Sequence, residues 1–81
     1  MKLSRKVAIV TGGGSGIGEA ICRAYAKEGA TVAVADLNQE GAERVASEIA
    51  ASGGSASAFQ VDITNSSEIR EMVAAVLGDH E

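Results

Sequence analysis

The chain has 81 residues, 46% of them hydrophobic, with 10 glycines, no proline, no tryptophan and one cysteine; its 7 basic and 11 acidic side chains give a net charge of −4. That length suits one small domain or part of a larger one, since a core of this size supplies only about 3–5 kcal/mol. The charge disfavours nucleic acid and anionic membrane surfaces, and with no apolar run near the ~20 residues of a bilayer span and no signal-peptide pattern, a soluble cytoplasmic protein is expected.

Lys2, Arg5 and Lys6 form a small basic cluster that reads as a solvated terminus. Val7-Ala8-Ile9-Val10 is an unbroken, β-branched apolar run, the pattern of a strand buried on both faces. The stretch from Gly12 to Gly18 then holds half of the chain's glycines. From Ile17 onward, Ile17, Ala20, Ile21, Ala24 and Tyr25 recur at helical spacing, which predicts a helix with that apolar stripe ending at Gly29. Cys22 lies beside the stripe and reads as a packing residue; as the only cysteine it can form neither an internal disulfide nor a cysteine metal cage.

Thr31 to Ala35 is a second continuous strand, closed by Asp36. Ala42, Val45, Ala46, Ile49 and Ala50 predict a second helix, with Asn38 as N-cap and Gly53-Gly54 as its stop. Ala56 to Val61 predicts a third strand, closed by Asp62. Asn65 and Glu68 resemble a capping box before a third helix of Ile69, Met72, Val73, Val76 and Leu77, ending at Gly78. His80, near the end, reads as a frayed terminal residue. The order β-α-β-α-β-α with short connections predicts an α/β fold in which parallel strands are joined by right-handed helical crossovers.

The glycine loop reads Thr11-Gly12-Gly13-Gly14-Ser15-Gly16-Ile17-Gly18. It does not fit G-x-G-x-x-G, and Glu19 and Ala20 stand where a phosphate loop of the ATPase type needs Lys and a hydroxyl. It fits G-x-x-x-G-x-G at Gly12, Gly16 and Gly18, after a strand and opening a helix. Free amides and the helix dipole there attract a pyrophosphate, whereas a bare glycine pattern is also compatible with a flexible turn. Asp36 lies 18 residues after Gly18, where a carboxylate can accept both hydroxyls of an adenosine ribose. It would repel a 2′-phosphate, and neither Leu37 nor Asn38 supplies a cation, which favours NAD over NADP. A turn-capping role is open for Asp36 and more so for Asp62.

The loop, then Ala35-Asp36-Leu37, then Val61-Asp62-Ile63-Thr64, together resemble the start of the short-chain dehydrogenase/reductase family. The resemblance implies a three-layer Rossmann-type fold, of which residues 1–81 would be the N-terminal, adenosine-binding half of a doubly wound parallel sheet. It implies hydride transfer between NAD and an alcohol or carbonyl substrate. Gly12, Ser15, Gly16, Ile17 and Gly18 would line the pyrophosphate, Asp36 would hold the ribose, Leu37 would flank the adenine, Asp62 would bond its amino group, and Ile63 would touch the ring. The family's later Asn-Asn-Ala-Gly type motif, catalytic Ser and Tyr-x-x-x-Lys pair do not occur here; Tyr25 is followed four residues on by Gly29. The expectation is therefore a cofactor-binding part without the catalytic half, Gly78 to Glu81 being the loop toward a missing strand. A free-standing adenine-nucleotide module and a fragment without ligand are the alternatives. The family's strand order makes Val7 to Val10 a bare edge through which the chain would self-associate.

Overall fold

The computed structural model describes the backbone of residues 6–80 and the side chains of residues 6–76; Lys2, Arg5, and the side chains of Leu77 and His80 lie outside that description. Six elements alternate: β1 (Val7–Thr11), α1 (Gly16–Lys27), β2 (Thr31–Asp36), α2 (Gln39–Ala51), β3 (Ser55–Gln60) and α3 (Ser66–His80). The strands are all parallel in the order β1-β2-β3, and they run in step, Val7 opposite Thr31 and Thr31 opposite Ser55.

Strand alternation splits the core into two layers. Ala8, Val10, Val32, Val34, Ala56 and Ala58 face α1 and α2, where Cys22, Val45 and Ile49 meet them. On the other face Val7, Ala33, Ala35 and Phe59 pack against Ile69, Met72 and Val76 of α3. Val32, Val34 and Val45 are completely buried, each worth about 1.5–3 kcal/mol of transfer free energy. No helix among the described residues is long and apolar enough to cross a membrane.

Glycine ends the first two helices in the same way. Gly29 and Gly53 have φ of 97° and 92°. Each donates to the carbonyl three residues back, and the next residue reaches five back: Ala30 to Tyr25 and Gly54 to Ile49. These paired bonds satisfy the last carbonyls and turn the chain into the next strand. Asn38 caps α2 as expected, its side chain accepting from Gly41 N at 3.2 Å.

Three expectations need correction. β1 is not buried on both faces: it forms a sheet edge whose α3-side face is covered at Val7 but leaves Ile9 38% exposed. The stripe Ile17, Ala20, Ile21, Ala24 and Tyr25 does not face the sheet; all five are exposed, Ile17 at 82%. The inward line is Gly18, Cys22 and Ala26, because the helix lies too close to the sheet and loop for larger side chains: a Cβ on Gly13 would sit 2.9 Å from Cys22 Sγ. Finally, α3 does not stop at Gly78 but continues to His80. A helical glycine costs about 1 kcal/mol relative to alanine, which weakens a helix without ending it.

Candidate functional site

Parallel strands bring the ends of β1, β2 and β3 to one rim, and the expected residues collect there. The loop after β1 turns through Gly12 and Gly16, with φ of 68° and 60°, and then starts α1. Gly18 makes the tightest approach: a Cβ there would lie 2.0 Å from the Gly12 carbonyl oxygen. The first turn of α1 is thus folded directly against the loop. Ser15 occupies the N-cap position with extended backbone and no side-chain cap bond. The amides of Ser15, Gly16, Ile17 and Gly18 donate to no acceptor among the described residues, so four N–H groups are available at the positive end of the helix dipole.

Asp36, the last residue of β2, holds this loop. Its Oδ2 accepts from Gly14 N at 3.0 Å and its Oδ1 from Asn38 N at 2.9 Å. One oxygen therefore anchors the glycine loop and the other shapes the turn into α2, so the turn-capping role is real. It does not exhaust the group, since a carboxylate has about four acceptor positions. Gly14, which the motif treats as any residue, is the functional position that sequence reasoning missed. It is buried, and a Cβ on it would meet Asp36 Oδ2 at 2.9 Å and Ala42 N at 3.0 Å. Its signal was present only as the last of a triple glycine, Gly12-Gly13-Gly14.

Asp62 repeats the arrangement beyond β3. Its Oδ1 accepts from Thr64 N at 2.9 Å and Thr64 Oγ1 at 2.6 Å, and these bonds hold its carboxyl below the usual carboxylate range. Oδ2 accepts nothing among the described residues. The capping box forms in altered shape: Asn65 Oδ1 accepts from Glu68 N at 3.1 Å, but Glu68 Oε1 accepts from Asp62 N instead of from Asn65 N. The two loops are laced together, Val61 N donating to Asp36 O and Gln60 Nε2 to Leu37 O. Leu37 and Ile63 follow the two aspartates and stand out in solvent, 65% and 60% exposed. With Ile17 they give the rim apolar surfaces beside its carboxylates and amides.

A charged cluster closes the side of the loop between α1 and α2. Glu19 accepts from Arg23 at 2.7 Å and from Arg44 at 2.9 Å, and Glu48 pairs with both arginines. The hydrogen bonds from Arg44 and then Arg23 lower the Glu19 pKa to about 2. Arg44 also donates to the Gly14 carbonyl at 3.1 Å. Cys22 lies beneath the loop, its thiol against the Gly13 carbonyl at 3.9 Å, and burial pushes its pKa up. It is a packing group there.

The fold agrees with the comparisons. The family model of short chain dehydrogenases matches residues 6–81, and the chain belongs to that family. It is 41% identical over 81 residues to the short-chain dehydrogenase/reductase homologue YusS of Bacillus subtilis, covering 99% of this chain and 74% of that one. It is 49% identical over 75 residues to a 2,5-dichloro-2,5-cyclohexadiene-1,4-diol dehydrogenase of Sphingobium indicum, covering 93% of this chain and 29% of that one. A metagenomic short-chain oxidoreductase crystallised in complex with NADP superposes with a TM-score of 0.92 at 38% identity, over 99% of this chain and 36% of its own. The chain thus spans about three-tenths of the length of several curated relatives and corresponds to the N-terminal part of the family's fold.

Proposed function

We propose that these residues form the adenosine and pyrophosphate half of an NAD site in an oxidoreductase that transfers hydride between NAD(H) and an alcohol or carbonyl substrate. The reading rests above all on the Gly14–Asp36 contact, which joins a ribose-binding carboxylate to a loop of open amides. Gly12, Ser15, Gly16, Ile17 and Gly18 would surround the pyrophosphate, and Asp36 would use its remaining lone pairs for two ribose hydroxyls. The exposed Leu37 and Ile63 would sandwich the adenine, with Asp62 Oδ2 accepting from its amino group. Nicotinamide supplies the hydride chemistry when the cofactor is bound; these residues hold and orient its distal end.

We favour NAD over NADP. Asp36 presents negative charge to the 2′ position, and Arg44, the cation bonded to the loop at Gly14, is paired with Glu19 and Glu48. That the metagenomic relative is an NADP complex makes this the first point to test. Calorimetric titration with ADP-ribose, NAD and NADP should give saturable ADP-ribose binding, weaker NADP binding, and at least a tenfold loss in Asp36→Ala. Absence of saturable binding at millimolar ADP-ribose would remove the proposal.

We also propose a soluble, cytoplasmic protein that associates through the outer edge of β1. An unpaired strand offers a row of amides and carbonyls to another chain, and Ile9 adds exposed apolar surface there.

A further inference from the structure

We propose that Arg44 is a positioning residue for the nucleotide loop, bonding the Gly14 carbonyl from α2 while Glu19 holds it from α1, and so fixing the peptide that meets Asp36. The inference rests on the nucleotide reading above and assigns the residue that keeps that site in register.

Gly14 is tied at both ends. Its N–H reaches Asp36 Oδ2 at 3.0 Å, and its carbonyl accepts from Arg44 Nη2 at 3.1 Å. The same guanidinium donates to Glu19 Oε1 at 2.9 Å and lies 3.5 Å from Glu48. Gly14 cannot be fixed by a side chain of its own. Its Cα approaches the first turn of α2 so closely that a Cβ would lie 3.0 Å from Ala42 N, and a Cβ on Gly41 would lie 2.9 Å from the Gly14 carbonyl oxygen. Three successive glycines leave the backbone with wide freedom, so the orientation of this peptide has to be imposed by neighbours. Asp36 imposes it from the sheet and Arg44 from the helix layer.

The chemistry calls for arginine. A planar fork can serve a backbone carbonyl and a carboxylate at once, whereas an ammonium acts as a point charge. Ion pairs this exposed contribute little to stability by themselves, so the distinctive contribution of Arg44 is its hold on the loop. Arg23 supplies the internal comparison. It carries the same charge and pairs with the same two glutamates, yet its bonds are to Glu19 and Glu48 and not to the loop.

The test uses the 81-residue chain and its Arg44→Met, Arg44→Lys and Arg23→Met variants, without and with ADP-ribose. Amide hydrogen exchange by NMR in the ligand-free protein should show Gly14 exchanging at least tenfold faster in Arg44→Met. Val34 in β2, the reference for global stability, should stay within twofold, and Gly14 in Arg23→Met likewise. ADP-ribose affinity should fall about five- to tenfold in Arg44→Met, the size of one half-exposed charge-assisted hydrogen bond. Arg44→Lys should recover part of it, and Arg23→Met should remain within twofold. Unchanged Gly14 exchange in Arg44→Met overturns the proposal, as does acceleration of Gly14 and Val34 together or an equal affinity loss in the two methionine variants. If the wild-type chain binds no ADP-ribose, the nucleotide reading falls, and the exchange at Gly14 still decides whether Arg44 holds the loop.

Discussion

Gly12 and Gly18 touch across the loop and exclude side chains for different reasons, which makes them separable by substitution. A Cβ at Gly18 would lie 2.0 Å from the Gly12 carbonyl oxygen and 2.6 Å from its carbon, against about 3.5 Å at ordinary contact. Both obstacles are backbone, so relief requires moving α1 relative to the loop by more than an ångström. Overpacking of this kind costs about 1–3 kcal/mol or more, and the gain in helix propensity from alanine returns at most about 1 kcal/mol. We expect a net loss of about 2 kcal/mol in Gly18→Ala, which for a domain of this size lowers Tm by about 8–16 °C. At Gly12 there is open space within 4 Å but φ is +68°, so the penalty is conformational, about 1–2 kcal/mol for alanine. Asparagine tolerates that conformation better. Gly12→Asn should therefore be milder than Gly12→Ala, while Gly18→Asn should be worse than Gly18→Ala. Thermal melts followed by circular dichroism decide this. The reasoning is refuted if Gly18→Ala melts at or above the wild type, or if asparagine and alanine rank the same way at both positions.

Three further outcomes are expected. Cys22 is fully buried with its thiol pKa raised by burial, so the native protein should label slowly with a thiol reagent at pH 8 and rapidly in denaturant; fast native labelling would contradict the packing. The Glu19 pKa is lowered from 4.5 to about 2, so its stabilisation is complete above pH 4.5 and disappears as pH falls toward 2. Melts across that window should be less pH-dependent in Glu19→Gln, and identical slopes would show that the arginine pairs do not hold in solution. If β1 is an association edge, Ile9→Lys should shift sedimentation toward monomer with little loss of Tm, because Ile9 is already 38% exposed; a wild-type chain monomeric at high concentration removes that reading.

The strands and the helix order were legible because they depend on local chemistry: β-branched runs for β1 and β2, Asn38 as a cap, and Gly29 and Gly53 as left-handed stops. Asp36 was legible because its distance from the loop is fixed by the length of one helix. The orientation of α1 was not. Periodicity finds the most apolar face of a helix, but the face against the sheet is chosen by how closely the backbones approach, and here that selects Gly18, Cys22 and Ala26 over Ile17, Ile21 and Tyr25. Gly14 and Arg44 were hidden for a related reason. Their roles come from contacts 22 and 30 residues apart in sequence, and a hydropathy pattern has no access to such pairs. The third helix runs past Gly78 to His80 because a single glycine weakens a helix without ending it.

The line Gly18, Cys22 and Ala26 acts as a spacer between α1 and the sheet, and its thickness sets where the open amides of the loop stand. Enlarging that line would push α1 outward at a cost in stability, as at Gly18, where a Cβ would lie 2.0 Å from the Gly12 carbonyl oxygen. The same movement would carry the first turn of α1 away from Gly12 and lift the amides from the rim they share with Asp36. Close packing of α1 and the placement of these amides are thus set together by the size of a few residues on one side of the helix. Larger residues along this line are expected to lower the melting temperature and displace the loop amides together.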